Sequence, residues 1–135
     1  MNKTLLGLSA AVTLALAGAT TAHATGDISC QGVDGSDASV DLNIGSLPVL
    51  QILNATIATG GQVWATQPGK GDTEIIVGQA AETGNMLIAD FTDPNIVDIV
   101  ASLRLFSATE GGDFVRAGTL TIMGHGAHAV SCIGP

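Results

Sequence analysis

The chain has 135 residues, twelve acids against four Lys and Arg, and a formal net charge of −8, with three Phe, one Trp and no Tyr. That charge excludes nucleic acid and anionic membrane surfaces as natural partners, because both repel it. The scarcity of rings argues against a sugar-stacking platform, and a lone Trp64 reads as core.

The first 24 residues read as a signal peptide. Lys3 supplies one positive charge, Leu5 to Gly18 is almost wholly apolar, and Ala22-His23-Ala24 is the small-x-small triplet that a signal peptidase accepts. A membrane span needs roughly 20 apolar residues, and Thr20, Thr21 and His23 interrupt the run first. Cleavage after Ala24 is expected to leave residues 25–135 as a single domain, periplasmic or secreted, with no membrane insertion. Loss of Lys3 makes the product still more acidic, with Lys70, Arg104 and Arg116 as its cations.

Residues 39–44 alternate polar and apolar, the period of a half-buried strand. Further strands are predicted over 49–58, 62–66, 74–81, 86–92, 96–108, 114–123 and 129–132. Gly60-Gly61, Gly84-Asn85, Asp93-Pro94-Asn95 and Gly111-Gly112 mark turns between them. Gly118 reads as a bulge. About seven to nine short strands at this spacing predict an all-β fold, an antiparallel sandwich or flattened barrel.

In the strand over 96–108, Val97, Ile99, Ala101, Leu103 and Leu105 share one face. Val100 and Phe106 fall on the other, beside Asp98, Ser102 and Arg104. An apolar outer face of this kind either marks a surface for another protein or a second copy, or is covered within the monomer, and Ile76 is a further candidate for it. Arg104 and Arg116 are expected to face solvent or to pair with Asp98 and Asp113.

Cys30 and Cys132 stand near the two ends of the exported domain. In an oxidising compartment they are expected to pair and close most of the chain into one loop.

Three clusters carry candidate metal ligands. His125 and His128, three residues apart at a turn, offer imidazoles to zinc or copper. Asp34, Asp37 and Asp41 offer oxygens to calcium, as do Asp90, Asp93 and Asp98 with Asn95. Each cluster also reads as ordinary turn chemistry. Ser131 with a nearby histidine is the nearest approach to a nucleophile, and no Gly-x-Ser-x-Gly accompanies it. No catalytic residue and no cofactor beyond a metal ion are expected. Asn54-Ala55-Thr56 fits the glycosylation pattern but lies inside a predicted strand.

These features lead to an exported, non-enzymatic binding module, protein-binding or inhibitor-like. The alternatives are a periplasmic metal-binding protein using His125 and His128 or the acidic loops, and a structural subunit that self-associates through sheet edges.

Overall fold

The computed structural model describes residues 25–135. The predicted signal segment 1–24, with His23, lies outside the described residues. Ten strands follow one another: β1 Gly26–Gly32, β2 Ser39–Ile44, β3 Ile52–Thr59, β4 Gln62–Ala65, β5 Thr73–Glu74, β6 Ile76–Thr83, β7 Met86–Thr92, β8 Ile99–Glu110, β9 Asp113–Ile122 and β10 Gly126–Ile133. They form one sheet in the order β5-β4-β3-β2-β1-β10-β9-β8-β7-β6.

That sheet curls until its two edges nearly meet. β5 lies parallel to β4, with Trp64 opposite Thr73 and Ala65 opposite Glu74. The Ile75 amide donates to the Ala65 carbonyl, and the chain then enters β6, antiparallel to β7. A single buried residue, Ile75, therefore joins the first edge of the sheet to the last. Below this point β3 and β6 are not paired, which leaves a seam. The expected all-β fold holds, and its closure is that of a nearly complete barrel.

Alternation places one side chain in two inside. Ile28, Val40, Leu42, Ile57, Leu87, Phe91, Leu103, Leu105, Leu120 and Val130 meet in one core, with Trp64 at its edge. Each large side chain of that kind contributes roughly 1.5–3 kcal/mol on burial. Cys30 and Cys132 face each other across β1 and β10 and form the expected disulfide.

Four local expectations need correction. Strand β1 offers only Ile28 and Cys30 as apolar alternation, too short a pattern to stand out, and it was absent from the predicted strands. β8 begins at Ile99, and its phase breaks at once. Thr92 pairs with Ile99 but Phe91 with Ala101, so Val100 is an extra residue. Ile99 is therefore 49% exposed, and Val97, before the strand, 76% exposed. Gly118 is no bulge, since it sits in a regular ladder between Leu105 and Val130. A Cβ there would stand 1.8 Å from the Arg104 carbonyl oxygen, so only glycine permits the strands to approach so closely. The fourth correction concerns the arginines: Arg116 turns inward, and the acidic partners are Asp90 for Arg104 and Glu82 for Arg116.

Candidate interaction surface

At the barrel end where β1 leads into β2, the loop turns through Asp34 and Gly35, both at positive φ. This brings Ser36 to β10, where its Oγ lies 2.9 Å from His128 Nδ1. His128 Nε2 lies 3.2 Å from the His125 carbonyl oxygen. A carbonyl only accepts, so neutral His128 carries its proton on Nε2, and Nδ1 accepts from the Ser36 hydroxyl. His128 shares the inward phase of Val130 and Cys132, which is why it reaches across the rim. The His125 ring stands edge-on to Trp64, centroids 4.9 Å apart. Both nitrogens of His128 are thus engaged in tying the rim together.

The first acidic trio is dispersed. Asp34 occupies the turn, and Asp41 accepts from Ser29 on the outer face of the β1–β2 pair. Asp37 accepts from the Thr59 hydroxyl and the Gly60 amide, both at 2.8 Å. Those two donors, the hydroxyl first, hold its carboxyl below the usual aspartate range.

The second trio is dispersed too. Asp90 accepts from Ser102 at 2.7 Å and pairs with Arg104 at 2.9 Å on the outer face. Asp93 organises the β7–β8 loop: Oδ1 accepts from the Val97 and Asp98 amides at 2.8 and 2.7 Å, and Oδ2 from Asn95 at 3.1 Å. Those backbone donors, led by Asp98, hold its carboxyl below the ordinary value. The Asp98 carbonyl in turn accepts from the Asp93 amide. No group of three or more His, Cys, Asp and Glu is placed to hold a metal ion among the described residues. Ser131 is exposed on β10, and His128 points to Ser36 instead.

Arg116 departs furthest from expectation. It has the inward phase of Leu120 and Ile122 and is only 6% exposed, at the opposite mouth of the barrel. Its Nε donates to Ser107 Oγ at 3.0 Å, Nη1 to the Pro135 main-chain oxygen, and Nη2 faces Glu82 at 3.6 Å. The Phe114 ring lies against the guanidinium, 5.3 Å to the centroid. The strand phase, fixed by Leu120 and Ile122, was the signal that located it.

Val100 and Phe106 fall apart. Val100, the bulge residue, packs partly against the core. Phe106 is 54% exposed, between Met86 on β7 and Ala117 on β9. Val115, two residues from Ala117, and Ile133, next to the Cys132 that faces Arg116, are exposed as well. Met86, Phe106, Ala117, Val115 and Ile133 thus lie on four consecutive strands with no charged side chain among them. Ile76 is half-buried at the start of β6 and takes no part.

A shallow groove of about 330 Å3 crosses β1, β2 and β3, with Asp27, Asp41, Asn43, Asn54 and Thr56 among its lining residues. Asn43 Nδ2 donates to Asp27 at 2.8 Å, while Asn54 Oδ1 is buried without a partner. No protein family, no curated protein and no solved structure matches the chain.

Proposed function

We propose that the chain is an exported, non-enzymatic protein-interaction module of the periplasm or extracellular space. The Cys30–Cys132 bond suits such a compartment. Among the described residues no helix is long and apolar enough to cross a membrane. The observation that carries the reading is the uncharged apolar cluster around Phe106 on the outer face of β7 to β10. Phe106, Val115 and Ile133 are largely exposed, and covering them by a partner removes apolar area from water, at roughly 25 cal/mol per Å2.

The test is a photo-crosslinking residue at position 106 in cells making the full chain, with position 119 on the same outer face as control. A covalent adduct with one protein from position 106 alone is expected. Equal labelling at both positions, or none, would defeat the reading. A second reading, self-association through a sheet edge, draws on the edge of β6, which among the described strands is paired with β7 alone. An adduct between two copies of the chain would favour it.

A further inference from the structure

The β7–β8 loop combines three properties. Ile96 has φ 58°, a left-handed conformation that crowds the Cβ of a side-chain-bearing residue against the following carbonyl oxygen and suits β-branched residues least. Its side chain is nevertheless 69% exposed, and that of Val97 76% exposed, so neither offsets the strain by burial. The loop is also held firmly. The Ile96 amide donates to the Asp93 carbonyl, the Asp93 amide donates to the Asp98 carbonyl, and the Asp93 carboxylate accepts from three further amides. Two exposed apolar side chains on a strained but pre-organised loop have lost much of the ordering entropy that binding otherwise costs.

The surroundings specify what such a loop fits. Ile99, turned outward by the bulge at Val100, and Met123, whose amide donates to the Val100 carbonyl, extend the apolar area behind it. Asp98 is exposed beside Val97, on a chain of net charge −8. A second copy would bring the same acids to the contact and repel. An apolar pocket with a basic rim would attract.

We propose that the loop 93–98 is a recognition knob that inserts Ile96 and Val97 into an apolar, basic-rimmed pocket of a partner protein. This rests on the interaction-module reading and places a contact at the barrel end opposite Arg116. Asp93 acts as a positioning residue, through the backbone it holds.

Photo-crosslinking residues at positions 97 and 106, introduced one at a time into the full chain in cells, test both readings together. A partner captured from position 97 is identified, purified and titrated with wild-type protein and with Ile96→Asp, Phe106→Asp and Asp93→Ala. The expected result is a loss of affinity of roughly 30-fold or more for Ile96→Asp, the scale of a hot-spot residue. A smaller loss is expected for Asp93→Ala, with raised backbone mobility at 95–98 by NMR relaxation. Ile96 is exposed, so Ile96→Asp should fold, and its spectrum checks this. Adducts from position 106 alone, or unchanged affinity for Ile96→Asp, would overturn the knob and leave the interaction module standing. An adduct from position 97 to a second copy would overturn the choice of partner. Silence at both positions would remove both readings.

Discussion

Arg116 on β9 faces Glu82 on β6 across the mouth of the barrel, Nη2 to Oε1 3.6 Å, with two strands between them in the sheet. The two sides of the contact are unequal. The arginine side chain is 6% exposed and that of the glutamate 45%. A loose pair with one partner in water is worth under about 1 kcal/mol, whereas the buried guanidinium depends on all its acceptors. Arg116→Ala should therefore cost roughly 2–3 kcal/mol, through lost packing and an orphaned Ser107 and Pro135 oxygen. Glu82→Gln should cost under about 1 kcal/mol. Urea unfolding of both variants decides the matter, and equal losses would mean that Glu82 carries the charge after all.

The disulfide joins residues 102 positions apart. A closed loop of that length restricts the unfolded chain by roughly 4–5 kcal/mol in the chain-entropy account, an upper figure. The Cys30→Ala, Cys132→Ala double variant should lose a large part of that in urea, with no change in the folded spectrum beyond β1 and β10. A loss below about 1 kcal/mol would mean that the unfolded chain is already held compact by other contacts.

Much of this was legible from alternation alone. Val40 and Leu42, and Leu103 and Leu105, point inward as period two requires, and the pairing of Cys30 with Cys132 was expected from two cysteines in a chain that reads as exported. The errors share a cause: alternation gives phase but not where phase resets. The bulge at Val100 turned Ile99 outward, and nothing in the local composition announces it. Arg116 follows the inward phase of Leu120 and Ile122, against the exposure usual for its residue type. The pairing of Ser36 with His128 spans 92 residues and arises from the packing of β1 against β10, beyond the reach of any local pattern. The strain at Ile96 was invisible for a similar reason, since Asp-Pro-Asn announces a turn but not which residue takes positive φ.

Asp93 sets an acid limit on the β7–β8 loop. Its carboxylate accepts from the Asp98, Val97 and Asn95 amides, which lowers its pKa from the ordinary 3.8. A folded pKa below the unfolded one means the carboxylate's contribution is complete above about 3.8 and is lost as pH falls through the lowered folded value. Stability should therefore decline with acid below that point and be indifferent to this group at neutral pH. Asp93→Asn, unable to ionise, should lower stability at pH 7 and remove this part of the acid decline. An NMR titration of the Asp93 carboxyl checks the direction, and a midpoint at or above the ordinary value would contradict the hydrogen bonding described.

Ile96 separates backbone strain from side-chain contact. At φ 58° glycine is relaxed where isoleucine is not. The relief of roughly 1–2 kcal/mol is partly offset by the greater freedom of glycine in the unfolded chain. Ile96→Gly should stabilise the domain by a net of about 0.5–1 kcal/mol. Ile96→Ala keeps a Cβ and hence the conformational penalty, and removing an exposed side chain changes little, so it should stay within about 0.5 kcal/mol of wild type. Chemical denaturation of the three proteins measures the difference. If alanine stabilises as much as glycine, the gain comes from removing exposed apolar surface and the backbone is not strained. If glycine alone stabilises, the wild-type chain holds Ile96 at a cost to its own stability, as expected of a side chain positioned for a contact outside the fold.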